Sequence, residues 1–448
     1  MSSHFETSHR SAIQIKRIED AVAENKSVGK FFAARYRHDG NNFGLCHLVL
    51  QGGGTLGIAH LGFIRGLELA DVRFAGLAGT SAGAIIALLI AAARKDAIEV
   101  EVASQLLPIL QSMPAAAFMD GPYFARRFVK FALDKRKPNY MDYVLPGIAS
   151  VRHLLRQYGL NRGHRFEDWL AHTLSKQFGL ATQSQLNETL VGVMAKLTSL
   201  VVLNSASDLL HITATAMPLG LKIVFPEHAC LFDEKYEERS PAIFARASMS
   251  VPLFFEPREV DLNAAKWEEY VENLAKMNAY SKDVITRMKS LKALSFIDGG
   301  LLSNFPIDAF ADVATATAKC RRGRRPRSSV SVIPTIGVAL FSSQLPEATA
   351  PRGSVKAFAN YTGTAINAMR HVRDREGLER AKQIESQTNR QTKVVFVDTG
   401  PHNWLNFNLP QDDMQDLFCR GLQACADFLE QLALAPRAPE RTRKWVRK

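Results

Sequence analysis

The chain has 448 residues, 46% apolar and 22% charged, enough to build a large core, which excludes a disordered, collagen-like or disulfide-stapled protein. Lysines and arginines outnumber acids 56 to 44, and the resulting net charge of +12 favours anionic partners such as phospholipid surfaces or nucleic acid. Its five cysteines are scattered with no CxxC spacing, so neither a disulfide framework nor a zinc cluster is indicated, and a reducing compartment suits them.

Residues 1–42 read as a polar leader with one helix over Ser11–Glu24, and they lack the apolar run of a signal peptide. Cys46–Gln51 reads as a buried strand ending at three glycines, Gly57–Leu69 as a helix, Phe74–Ala78 as a second strand and Ala82–Arg94 as an alanine-rich helix. Strand, helix, strand, helix at this spacing predicts a mostly parallel sheet with helices packed on it. The stretch from Ile98 to Gln185 reads as mainly helical, with strands following at Leu210–Ala216 and Leu221–Phe225. A charged helical insertion is expected over 259–292, then a strand at Ala293–Ile297. Beyond a basic loop at Cys320–Ser329, strands are expected at Val332–Phe341 and Val394–Val397, with an amphipathic helix over Val355–Ile384 between them. A basic tail occupies 433–448, leaving 43–432 as the main domain. The longest apolar stretch, Ala84–Ala93, falls short of the roughly 20 residues a bilayer-spanning helix needs. A cytoplasmic protein is therefore expected, with any membrane contact peripheral.

Gly79-Thr80-Ser81-Ala82-Gly83 fits GxSxG between a strand and a helix. Such a sharp turn needs small flanking residues, because a side chain at Gly79 or Gly83 would meet neighbouring backbone. It would lift Ser81 Oγ to the sheet edge at a helix N-terminus, where developing negative charge is favoured. Gly52-Gly53-Gly54-Thr55-Leu56-Gly57 lies at the preceding strand–helix junction, and its amides suit an oxyanion. The same residues satisfy the dinucleotide fingerprint GxGxxG, which further requires an acid at the end of the second strand. That strand ends Leu77-Ala78-Gly79-Thr80, so the nucleotide reading fails its own test; a P-loop is absent as well. A serine also needs a base. No histidine occupies a glycine-bounded loop after a strand, and His60 on the first helix reads as a packed or exposed side chain. Asp298-Gly299-Gly300 does follow a strand, and its glycines allow the carboxylate to face a neighbouring loop. Carboxylates are weak bases toward a serine and act only when close and partly desolvated.

The succession of GGGxxG, GxSxG and DGG with Asn304 and Pro306 behind it resembles the patatin-like phospholipase family. Ala245–Phe255, ahead of the aspartate strand, and Asn406–Leu409, ahead of a final amphipathic helix, resemble that family as well. The resemblance implies a three-layer α/β/α fold related to the α/β-hydrolases and a Ser–Asp dyad without histidine, metal or cofactor. It assigns Ser81 as nucleophile and Asp298 as its activator. Amides of Gly52, Gly53, Gly54 and Gly57 would form the oxyanion hole, Gly79 and Gly83 the elbow, and Gly299 and Gly300 the aspartate loop. It further implies hydrolysis of lipid acyl esters through an acyl-enzyme, of the lipase or phospholipase A type. The family's glycine loop usually carries Arg or Lys where this chain has Leu56, which weakens the expectation of a charged head group.

The basic stretches 126–137, 319–327 and 437–448 suit weak attraction to an anionic membrane. Nucleic acid is the rival partner for such charge, but no motif supports it. Phe254 and Phe255 are candidates for an acyl pocket. The competing function is a lipid-binding or scaffolding protein that keeps the fold without turnover.

Overall fold

The computed structural model describes residues 5–23, 26–95, 97–126, 141–197, 206–277, 280–310, 333–342, 375–379, 382–383, 391–404, 406 and 409–434. Most of the basic stretches, the bulk of the expected helix Val355–Ile384 and the tail beyond Leu434 lie outside these residues.

Eleven strands are described: β1 (Arg35–His38), β2 (Asn41–Leu50), β3 (Val72–Thr80), β4 (Gly159–Asn161), β5 (Leu210–Met217), β6 (Leu221–Phe225), β7 (Leu253–Phe255), β8 (Arg258–Asp261), β9 (Ala293–Asp298), β10 (Thr335–Phe341) and β11 (Thr392–Asp398). Nine build the central sheet along the path β11-β10-β2-β3-β5-β9-β8, with β1 on β2 and β6 on β5. The run β11-β10-β2-β3-β5 is parallel, while β1, β6, β8 and β9 join antiparallel. All nine residues of β3 are buried, as are the last eight of β2. Strands buried on both faces need helices on both, which makes this a three-layer α/β/α sheet.

The β2–β3 connection is the helix Ile58–Leu69, and β3 leads into the helix Ala82–Ala93, both within a residue of the sequence expectation. The first helix packs against the C-terminal helix Gln411–Leu434 at a glycine crossing. A Cβ on Gly62 would run into the Phe418 carbonyl, and one on Gly421 into the Ala59 carbonyl. Both glycines are thus required for close approach.

The segment read as a polar leader joins this core. Its helix His9–Ala23 lies along the C-terminal helix, with Phe5 and Ile18 fully buried. Arg17 bonds Asp427 at 2.6 Å and Glu430 at 2.7 Å across the contact. Polar composition hid one apolar face, a common property of amphipathic helices. The insertion departs from expectation too. Residues 258–261 are strand β8, paired with β9, and only then follow the helices Ala264–Met277 and Lys282–Ser290. Trp267 is buried between those helices and donates from Nε1 to the Met288 carbonyl at 2.7 Å.

Gly421→Ala is expected to destabilise the fold by several kcal/mol, read by urea unfolding, because backbone must separate to admit the methyl. A second expectation concerns Glu68, whose buried carboxylate accepts from the Val102 and Ala103 amides at 2.6 and 3.2 Å. Burial pushes its pKa from 4.5 up to about 7. The folded state therefore holds this proton more tightly, so the group's stabilisation is full below pH 4.5 and is lost as pH rises through about 7. Glu68→Gln should flatten that slope, worth at most about 3 kcal/mol, in unfolding curves recorded across this pH window.

Candidate active site

The register around β5 brings the two sequence-predicted side chains together. β6 pairs with Ile212–Ala216, β3 with Leu210–Thr213 and β9 with Ala214–Met217. A strand residue has one partner position per flank. Since β6 overlaps both other partners, β3 and β9 must share the opposite flank, end to end. β3 finishes at Thr80 opposite Thr213, and β9, running the other way, finishes at Asp298 opposite Ala214. Neighbouring residues along β5 are separated by about 3.3 Å of rise. The strand ends that carry Ser81 and Asp298 consequently converge, and a Cβ on Gly299 would lie 3.0 Å from Thr80 Cγ2.

Ser81 sits at φ 53°, ψ −119°, a conformation that strains any residue with a side chain. Gly79 and Gly83 make this turn possible: a Cβ on Gly79 would strike the Gly83 backbone, and one on Gly83 the Leu50 carbonyl. The Ser81 amide donates to Ser248 Oγ at 2.9 Å, and Ser248 Oγ donates to the Thr213 carbonyl at 2.7 Å. Ser248 also accepts at its carbonyl from the Gly299 amide at 3.3 Å. One fully buried serine thus links the elbow, the central strand and the aspartate loop. Its segment stood out in the sequence, but its partners are distant in the chain.

Asp298 is fully buried and accepts from the Gly300 amide at 2.6 Å, while its own amide donates to the Ser250 carbonyl at 2.8 Å. Ser250 Oγ in turn receives a 2.6 Å bond from the buried Arg246. Arg246 also donates to the carbonyls of Arg162 and Glu256, and burial holds its pKa down at about 10. Thr80 Oγ1 donates to the Ser303 carbonyl at 2.7 Å, giving the elbow a second tie to the aspartate loop.

The glycine loop corrects one expectation. The Gly52 amide donates to the Asn304 carbonyl at 3.0 Å, and Asn304 Nδ2 approaches the Gly52 carbonyl at 3.4 Å. Gly52 is therefore a joint between loops and has no amide to offer an oxyanion. It does permit close approach, since a Cβ there would lie 3.2 Å from Ser81 Cβ. Gly57 plays a packing part as well: it ends the short 3-10 turn Gly54–Gly57 and faces Ile86 and Ala82 of the serine's helix. Gly53 and Gly54 remain as candidate donors. Gly54 has φ +55° and lies beneath Trp404, whose carbonyl a Cβ would strike. That carbonyl accepts from the Thr55 amide at 3.0 Å. Leu56 is buried in the main core, which accounts for an apolar residue where a cation is usual. His60 is buried, holds the Gln51 carbonyl at 2.9 Å through Nε2, and is pushed down to about 4 by burial. It is a neutral prop of the glycine loop.

Ser81 lines a partly open pocket whose walls include Ile85, Met113, Phe118, Phe166, Met249, Val251, Phe254, Phe255 and Trp404. The lining suits an apolar chain with its reactive end at the serine. Phe254 and Phe255 were foreseen as lining; Trp404, Met113 and Phe118 carried no signal before folding placed them here.

The model of the patatin-like phospholipase family matches residues 48–311, more than half of the chain, and the protein belongs to that family. As a class, patatin-like domains are lipid acyl hydrolases. The chain is 22% identical over 383 residues to the uncharacterized protein YqhO of Bacillus subtilis (strain 168), covering 86% of this chain and 97% of that one. Its structure is similar to VipD from Legionella pneumophila at 13% identity and a TM-score of 0.34, over 87% of this chain. It spans 66% of the VipD chain.

Ser248→Ala is expected to slow fluorophosphonate labelling of Ser81 by about tenfold, the worth of one ordinary hydrogen bond. Ser248→Thr, which keeps the hydroxyl, should recover most of that rate.

Proposed function

We propose that this protein hydrolyses fatty-acyl esters of lipids through a Ser81–Asp298 dyad. The observation that carries the reading is the convergence of the β3 and β9 ends beside an apolar cavity, with a strained serine in its wall. The catalytic unit runs from residue 43 to 432, with the N-terminal helix as a brace.

In the first half-reaction Asp298 accepts the Ser81 Oγ proton as the oxygen attacks the ester carbonyl carbon. The resulting oxyanion receives the Gly53 and Gly54 N–H groups, preset by the tight loop. Collapse breaks the bond to the alcohol, which leaves with the proton from Asp298, and the acyl group remains on Ser81. Water then attacks the acyl-enzyme, passing its proton to Asp298, and the fatty acid departs as Ser81 Oγ is reprotonated. The apolar walls hold the acyl chain and exclude bulk water, which strengthens the interactions inside.

The test is hydrolysis of a chromogenic acyl ester and of phospholipid by wild type and two variants. Ser81→Ala should lose at least about a thousandfold in kcat, and Asp298→Asn at least a hundredfold, with cooperative unfolding kept in both. Wild-type turnover by Asp298→Asn would remove Asp298 from the mechanism. A wild-type protein that binds lipid but never turns over would favour the scaffolding alternative.

A further inference from the structure

Segments 119–126 and 149–165 form a unit set against the pocket. Its strand β4 pairs with β7, outside the central sheet. The Gly121 amide donates to Asn161 Oδ1 at 3.1 Å and the Gly163 amide to Asp120 Oδ1 at 2.8 Å, locking the unit together. Ala125 and Leu160 form a small buried cluster on which Leu154 and Phe254 pack. Phe254 is also a wall of the cavity beside Ser81. The helix Met141–Gln157, through Leu154, thus packs on the same small cluster as a residue that faces the substrate cavity.

The same helix and its neighbours also carry apolar groups in water. Val151, Leu155 and Tyr158, spaced i, i+4, i+7, are 53%, 74% and 67% exposed, and Tyr123 is 68% exposed. That spacing places Val151 and Leu155 on one stripe, and Tyr158 follows directly at the helix end. Scattered exposed leucines need no explanation, but an aligned set with tyrosines does. Arg152 and Arg156, both exposed, run alongside. Among the side chains described in these two segments, the exposed basic groups are Arg126, Arg152, Arg156, Arg162, His164 and Arg165, and no carboxylate is exposed. Asp120 is half-buried and accepts backbone amides. Aliphatic and tyrosine side chains flanked by arginine match a helix that lies in an anionic bilayer surface.

We propose that this stripe is the docking face for an anionic phospholipid bilayer, seating the cavity mouth against the lipid that supplies its substrate. The inference rests on the lipid reading of the pocket and adds the surface that delivers that substrate. Charge complementarity selects the bilayer over a second copy of this chain, whose stripe would present the same arginines. Among the described residues no helix is long and apolar enough to cross a membrane, so contact through this stripe would be interfacial.

The test uses the full chain as Ser81→Ala, in co-sedimentation with phosphatidylcholine vesicles and with vesicles that also contain phosphatidylserine. Two pairs of substitutions are made in it: Leu155→Glu with Tyr158→Asn, and Arg152→Glu with Arg156→Glu. Asparagine tolerates the φ of 58° found at Tyr158. The parent should prefer the anionic vesicles and release them as salt rises, and each pair should weaken binding by at least about tenfold. In the Ser81-containing background, both pairs should hydrolyse a water-soluble short-chain ester at the unsubstituted rate. Vesicle binding that is absent, or unchanged by both pairs, would overturn the proposal. So would loss of a dimer in sedimentation velocity with vesicle binding unaffected, which would assign the stripe to a second copy. Stripe-dependent vesicle binding without hydrolysis of any ester by the Ser81 protein would uphold the docking face and refute the enzymatic reading.

Discussion

Two strands running toward each other along one flank of β5 set the geometry on which everything else at this site is built. β3 stops at Thr80 and β9 at Asp298, opposite adjacent residues of β5. Neither strand can slip without breaking its ladder, and a one-residue slip would turn its side chains to the other face. The separation of serine and aspartate is therefore fixed by sheet register, the most rigid feature a fold of this kind possesses. β8 adds to this rigidity by pairing with β9 on its other flank.

Register alone would not hold Ser81 at positive φ, a strain of order 1–3 kcal/mol. Hydrogen bonds from three directions hold it. Ser248 takes the Ser81 amide, Thr80 bonds the Ser303 carbonyl, and Asn304 joins the aspartate loop to Gly52 beside the serine. Glycine loop, elbow and aspartate loop behave as one hydrogen-bonded body. Around it, Arg246 ties Ser250, whose carbonyl holds the Asp298 amide, to the residues that follow β4 and β7, and thus to the wall formed by Phe254 and Phe255. The cavity and the proposed dyad consequently share a scaffold.

How much of this was legible before folding depended on sequence distance. The strand–turn–helix around Ser81 is local, its glycines and apolar runs are contiguous, and its reading matches the structure closely. Asp298 was singled out by the glycine pair after its strand together with the family resemblance, and the structure places it at the end of β9. Ser248 was not, since its partner amide lies 167 residues away and a serine in an apolar segment has many ordinary explanations. Gly52 misled for a related reason: three consecutive glycines present equivalent amides, and only the return of Asn304 across the sheet shows which one is already engaged. The N-terminal helix was judged by composition, which averages over the face that Ile18 buries. Residues 258–261 took their strand from β9, because an edge pairing is invisible to helical periodicity.

Active-site labelling located by mass spectrometry probes the proposed dyad most directly. A fluorophosphonate should add to the peptide containing Ser81, at a rate cut at least a hundredfold in Asp298→Asn, while that variant's near-ultraviolet circular dichroism matches wild type. An adduct on any other residue, or labelling of Asp298→Asn at the wild-type rate, would contradict a serine activated by the carboxylate at the end of β9.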